Sequence, residues 1–366
     1  MKTIFFLQQR SCRDVKDKNK FMLRISILDQ SIVPKGSTPS LAIANTIRLV
    51  KLAETWGYHR FWVSEHHNSA MIAGSSPELL MVRLARETNT IRIGSGGIML
   101  PNHSALKVAE NFRLLETMYP GRIDLGMGRA PGGDRISASL LNPSNMFSEE
   151  SYLEQLEQLQ AFFHDAATSQ FGPLLAVPVA DTVPDQWILS SSGGSSAIAA
   201  KFGMGLAVAR FINGFAGRQV VADYESAFKP SRELLQPRAL LAISVLCAET
   251  DEKAQQLRKL ADYTLLQFEK GNYREMNSYE EIRDYVFSDY ELERIYYNRG
   301  RIVSGTPKDV REQLESLAIE LAVQEIMIST MTHSQKDRFR SFELIAEAFE
   351  LSREKSSHSP SLTIKQ

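Results

Sequence analysis

The stretch from Arg60 to Met127 decides the fold. It contains RFWVS at 60–64, PELLMVRLARET at 77–88, IRIGSGGI at 91–98, HSALKVAENFRLLETM at 103–118 and RIDLGM at 122–127. The first, third and fifth pieces are short apolar runs of strand length. The second and fourth are longer, repeat their apolar residues at helical spacing, and the fourth stops at Tyr119-Pro120-Gly121. Strand and helix pieces in strict alternation argue for parallel strands joined by crossover helices.

The same alternation extends both ways. Upstream, LRISILD at 23–29 is a first strand, and Pro39–Gly57 is a helix stopped by its glycine. Downstream come a helix at Glu149–Phe163, an inserted hairpin at Phe171–Val179, a strand at Gln186–Ser190 and a helix at Ser195–Phe202. Strands at Gly205–Ala209, Ala239–Leu246 and Glu325–Ser329 follow, with helices at Asp251–Glu269, Lys308–Ala318 and Phe339–Leu351. Eight strands alternating with helices predict an α/β fold of the closed (β/α)₈ TIM-barrel type, with an insertion after strand four. An open doubly wound sheet is the competing architecture. It is disfavoured because no Gly-rich dinucleotide fingerprint follows the first strand.

The chain of 366 residues is long enough for one such barrel over residues 22–352 and buries a core without metal or disulfide staples. Residues 1–21 read as an N-terminal extension, since Gln8–Lys20 is polar and basic without a period, and 353–366 read as a disordered tail rich in serine. The apolar run Thr3–Leu7 is shorter than the roughly 7–15 residues of a signal-peptide core, so no signal peptide is expected. A net charge of −1 leaves no electrostatic footprint for nucleic acid or an anionic membrane. No apolar run approaches the roughly 20 residues of a membrane span. The two cysteines, Cys12 and Cys247, form neither a zinc motif nor a disulfide framework. Such usage fits a reducing, cytoplasmic location.

In a barrel of this kind, ligands and chemistry gather at the C-terminal ends of the strands. Strand two ends in Ser64-Glu65-His66-His67-Asn68. Neighbours on an extended chain point to opposite faces, so Trp62, Ser64 and His66 share one face and Val63, Glu65 and His67 the other. Adjacent histidines so arranged do not chelate one metal, and no metal site is expected. A histidine facing the mouth is placed for general acid–base work; the alternative is that both histidines hold the loop by local hydrogen bonds. Strand three carries Gly94-Ser95-Gly96-Gly97, which marks either a flat ligand against bare backbone or a barrel corner. Strand four runs into Gly128-Arg129-Ala130-Pro131-Gly132-Gly133, where Arg129 beside a glycine-rich loop suggests an anionic ligand, or else a solvated arginine on a turn. Strand five runs into Ser190-Ser191-Ser192-Gly193-Gly194-Ser195, whose backbone N–H groups and hydroxyls suit a phosphate, or serve as a plain Ser/Gly turn.

Taken together, these segments resemble the bacterial luciferase-like flavin monooxygenase family, which also includes deazaflavin (F420)-dependent reductases. The resemblance runs from about Leu23 to Phe349 and is strongest from Trp62 to Asp134, in the strand-two ending, in IGSGGIMLP at 93–101 and in PGRIDLGMGRAPG at 120–132. It is weaker at Ser190–Ser195, where the family often opens the turn with glycine and this chain has Ser190. Val303–Pro307 and Arg338–Ala348 resemble the close of the fold. The resemblance implies reduced FMN delivered by a separate flavin reductase and reacting with O2. The resulting C4a-(hydro)peroxyflavin would pass one oxygen atom to a small organic substrate. It implies His66 as the catalytic acid or base, and Gly96 and Gly97 joined by a cis peptide under the flavin ring. It implies Arg129, Ser191, Ser192 and Gly193 at the flavin phosphate, and a homodimer. An F420-dependent reductase and a non-catalytic flavin-binding protein are the competing functions. Ile136–Met146 and Arg274–Tyr297 are candidate walls of the substrate pocket, most positions of the latter reading rather as a solvated helical face.

Overall fold

The computed structural model describes residues 23–144, 147–272 and 275–351. The expected extension over 1–21 and tail over 353–366 lie outside the described residues, as does Cys12. Eight strands form the barrel: β1 (Arg24–Asp29), β2 (Arg60–Val63), β3 (Arg92–Met99), β4 (Ile123–Gly128), β5 (Asp185–Ser190), β6 (Gly205–Ala209), β7 (Ala239–Cys247) and β8 (Glu325–Ser329). They neighbour one another in chain order, all parallel, and pairing of β6 with β7 together with β8 against β1 closes the ring. Among the described residues no helix is long and apolar enough to cross a membrane.

Local signals set the helix ends. The helix Pro39–Trp56 starts where the Thr38 hydroxyl accepts from the Leu41 N–H, and stops where Gly57 turns left-handed at φ 87°. The helix Pro307–Leu321 opens on a reciprocal box between Thr306 and Asp309. Outward residues such as Ile25, Ile27, Phe61 and Val63 pack under this helical layer in the large outer core. Inward residues alternate with them.

The barrel interior is stacked in layers. At the floor, where the strands begin, Arg60 reaches Asp124 at 2.8 Å and Glu325 at 2.7 Å, and Arg92 reaches Asp124 at 2.6 Å. Above this lies an apolar layer of Leu28, Trp62, Trp187, Ala207, Leu240, Ala242 and Met327. The two indoles meet edge-on at 5.6 Å between centroids. Each tryptophan stands opposite a glycine on the next strand, Trp62 against Gly94 and Trp187 against Gly205. A Cβ at either glycine would lie 2.5 Å from the facing indole. These glycines exist because the indoles lie across them.

Three elements depart from the sequence reading. The hairpin expected at Phe171–Val179 is two short strands, Thr168–Ser169 and Gly172–Pro173, because Pro173 and Pro178 deny the later segment its ladder donors. A ninth strand, Ile302–Gly305, pairs with Ser244–Cys247. β7 is nine residues long and outruns its neighbours, so its end needs a partner. The helix Arg218–Ala227 between β6 and β7 had no reading in the sequence; it buries Val221 and Tyr224.

Candidate functional site

The third interior layer opens at the C-terminal ends of the strands. Continuing the inward parity gives Gln30 after β1, His66 after β2, Phe211 after β6, Ser244 and Leu246 on β7, and Met331 after β8. All six line one cavity of about 390 Å³. Its outer wall is the helix Asp251–Glu269, through Leu260, Thr264 and Phe268, with Met276 and Arg301 at the rim. Of the candidate wall at Arg274–Tyr297, Glu275, Met276 and Asn277 line the cavity; Tyr290, Tyr296 and Tyr297 are a solvated face, and Arg274 lies outside the described residues. No described residue of Ile136–Met146 lines it. Arg135–Leu141 forms a short helix instead, capped by Asp134.

His66 and its neighbour Glu65 divide the labour. The His66 Nδ1 lies 3.0 Å from the buried Ser64 hydroxyl, and its backbone N–H donates to the Gly74 carbonyl at 3.0 Å. Its Nε2 has no partner among the described residues. Burial, reinforced by His67, holds the His66 pKa below the ordinary imidazole value, so the ring is neutral at pH 7. Glu65 points the other way. It accepts from His67 at 2.8 Å, from His103 at 2.9 Å, from Asn102 at 3.2 Å and from the Met99 N–H at 2.9 Å. Burial works to raise its pKa, but the hydrogen bonds from His103 and His67 outweigh burial and hold it low. In turn, burial depresses His103, and the bond to Glu65 more than reverses that, leaving it raised. His67 N–H and Asn102 Nδ2 also reach the carbonyls of Gly132 and Pro131, each at 3.0 Å. One buried carboxylate thus ties together the loops that follow β2, β3 and β4. The sequence offered Glu65 no such role, because its partners lie up to 38 positions away.

The remaining candidates occupy the other half of the mouth. The Gly96–Gly97 peptide is cis, and the Gly97 carbonyl accepts from the Glu65 N–H at 3.3 Å. A Cβ at Gly96 would lie 2.9 Å from Leu28 and Trp62; one at Gly97 would lie 2.5 Å from Leu189 and 2.8 Å from the Gly126 carbonyl. Packing therefore demands both glycines. Arg129, just past β4, is paired through Nη1 with Glu149 at 2.8 Å and is half-buried. Past β5, the Ser190 hydroxyl accepts from the Gly193 N–H at 3.2 Å, and Gly193 adopts φ 92°. The Ser191 and Ser192 hydroxyls have no partner among the described residues, and a Cβ at Gly194 would meet open space. Neither Arg129 nor this turn lines the 390 Å³ cavity. No group of His, Cys, Asp and Glu among the described residues forms a metal cluster.

Residues 23–325 match the family described as luciferase-like monooxygenase. The chain belongs to that family. Among luciferase-like relatives, the uncharacterized protein YwcH of Bacillus subtilis (strain 168) is 47% identical over 90% of this chain and 99% of its own length. The N-acetyl-S-alkylcysteine monooxygenase of the same organism is 35% identical over 89% of this chain and 98% of its own. The crystal structure of apo-MsnO8 superimposes with a TM-score of 0.83 at 36% identity, covering 91% of this chain and all of that one. A luciferase-like monooxygenase fold thus accounts for the whole described barrel, and the family is one of oxidoreductases.

Proposed function

We propose that this chain is an FMN-dependent monooxygenase that uses reduced flavin and O2 to oxygenate a small organic substrate. The observation that carries the reading is the division of the mouth. Gly96–Gly97, Arg129 and Ser191–Gly193 come from β3, β4 and β5, the cavity is built mainly from β6, β7, β8, β1 and β2, and His66 stands on the border. The donor set past β4 and β5 fits a flavin phosphate: two unpartnered hydroxyls and the backbone N–H groups of a glycine turn past β5, and Arg129 past β4, with nitrogens to spare beyond its bond to Glu149. When bound, the reduced flavin would supply the two electrons that activate O2, one atom of which passes to the substrate while the other leaves as water.

The chain's own residues do the rest. Ser191, Ser192, Gly193 and Arg129 hold the phosphate, and Gly96–Gly97 present backbone beside the mouth. The apolar cavity excludes water around the substrate. His66, neutral and with Nδ1 at the Ser64 hydroxyl, holds or accepts a proton at Nε2 beside the reacting group. A separate flavin reductase supplies the reduced cofactor. The exposed Leu79, Val82, Leu114 and Met118 on the adjacent helices Pro77–Arg86 and Ala105–Met118 form an apolar surface that supports a homodimer.

The test is an anaerobic titration of the purified protein with reduced FMN, followed by rapid mixing with O2, with reduced F420 titrated in parallel. Saturable binding of reduced FMN and an oxygen reaction with kinetics different from free flavin are the expected outcome. Binding of F420 with no response to O2 would overturn the monooxygenase reading in favour of a reductase.

A further inference from the structure

The cavity has polar groups at two ends and an apolar passage between them. At one end stands His66, just past β2. At the other stands Arg301, whose Nε donates to the Phe211 carbonyl at 2.8 Å, just past β6. In a closed ring of eight strands, β2 and β6 are four strands apart, which sets His66 and the Phe211 carbonyl that Arg301 holds on opposite sides of the mouth. Met71, Phe211, Leu246, Met276 and Met331 line the passage.

The charge on Arg301 is incompletely matched. Its Nη1 reaches Glu269 and Asn298, each at 3.3 Å. Glu269, however, already accepts two shorter bonds from Arg294, at 2.6 and 2.9 Å. Two guanidinium groups therefore share one carboxylate. The Arg301 Nη2 has no partner among the described residues. Burial lowers the Arg301 pKa by more than Glu269 raises it, which is the signature of a cation short of negative charge. Arg301 is the one lysine or arginine among the described residues lining the cavity. Among the described lining residues the one carboxylate, Glu275, lies on the β1 side, 3.5 Å from the Lys35 ammonium.

We propose that the cavity takes an amphipathic, singly anionic substrate, its carboxylate or similar anion held by Arg301, its apolar body along Phe211, Leu246 and Met331, and its far end beside His66. The inference rests on reading this cavity as the substrate site of the proposed monooxygenase. It makes Arg301 the residue that selects anionic over neutral substrates. The free Nη2 of Arg301 offers a charged N–H donor to a carboxylate oxygen, and three methionines give the passage a surface that adapts to alkyl groups of different shape.

The test uses flavin-free protein and isothermal titration calorimetry with hexanoate, octanoate and octanamide as probes. Octanoate is expected to bind about tenfold or more tightly than octanamide, as a charge-assisted bond requires, and tighter than hexanoate by roughly fourfold per methylene. Arg301→Gln should remove the preference for octanoate over octanamide, and Arg301→Lys should restore part of it. Equal affinity for octanoate and octanamide in the unaltered protein, or binding of neither, overturns the proposal without any variant. An undiminished preference in folded Arg301→Gln overturns it as well. Titration of the same proteins with reduced FMN separates the two ideas. Loss of octanoate selectivity with intact FMN binding belongs to Arg301, whereas absent FMN binding beside intact selectivity would count against the monooxygenase reading alone.

Discussion

The Ser64 hydroxyl lies 3.0 Å from Nδ1 of His66, two residues further along the same strand end. It is the one partner of that nitrogen among the described residues, and it is buried. Ser64 is therefore a positioning residue that fixes which ring nitrogen faces the cavity. Ser64→Ala is expected to leave Nδ1 without its partner and to shift the tautomer balance of the neutral ring. Long-range nitrogen–proton NMR reads this directly; identical tautomer populations in the two proteins would remove Ser64 from the mechanism.

His66→Ala is expected to leave reduced-FMN affinity within about twofold while slowing oxygen transfer by roughly 10²–10⁴, the usual worth of a positioned acid or base. Single-turnover measurements separate the two quantities. Loss of flavin with normal turnover per bound flavin would make His66 a binding residue instead.

Glu65→Gln removes the charge that binds three loops. Breaking a buried pair of this kind costs about 3–5 kcal/mol, less here because His103 keeps some contact with water. The pH dependence has a definite sign. Glu65 is held low in the fold, so its share of stability is present above its unfolded pKa and fades as pH falls. His103 is held high, so its share is complete below its ordinary value of 6.5 and fades as pH rises through the folded value. The stability gap between the parent and Glu65→Gln should be widest in mildly acidic solution and shrink toward pH 9. Urea unfolding across that range measures it; a gap that grows with pH would contradict the assignment.

At the barrel floor, burial works against the ionised Asp124, yet Arg60 and Arg92 overcome it and hold its pKa at about 2. That stabilisation is present above the unfolded value near 3.8 and is lost as pH falls toward 2. Asp124→Asn is expected to cost up to about 3–5 kcal/mol at neutral pH, since it leaves Arg60 with Glu325 alone and Arg92 with the more distant Asp185. It should also flatten acid unfolding between roughly pH 4 and 2, as circular dichroism would report.

Leu79→Glu combined with Leu114→Glu is expected to yield a folded monomer. Both side chains are exposed in the single chain, so the substitutions cost little within it. Sedimentation velocity supplies the readout; an unchanged dimer would move the interface elsewhere, and a parent protein that sediments as a monomer would remove it.

The barrel was legible in the sequence because buried parallel strands advertise themselves as continuous apolar runs. Leu23–Asp29, Gly205–Ala209 and Glu325–Ser329 are such runs, and the structure keeps all three to within a residue. Ile302–Gly305 is too short and too near a glycine to stand out, and it exists because β7 overruns its neighbours, a fact of lengths measured in space. The glycines of β3 show the limit of composition. Gly94 could be read as a ligand platform, but its partner across the ladder is the indole of Trp62. The parity of residues along β2 did separate His66 from Glu65 correctly. What parity cannot supply is the far partner: His103 for Glu65, or Phe211 for Arg301, each brought near by strands that never meet in the chain.

The charged floor and the paired indoles above it give the molecule a shape with consequences for traffic. A barrel stoppered at one end is a room with a single door. Whatever passes Arg301 and the helix Asp251–Glu269 to reach His66 must back out the way it came. Arrival and departure then take turns in one doorway, so product release is expected to share in setting the pace of turnover.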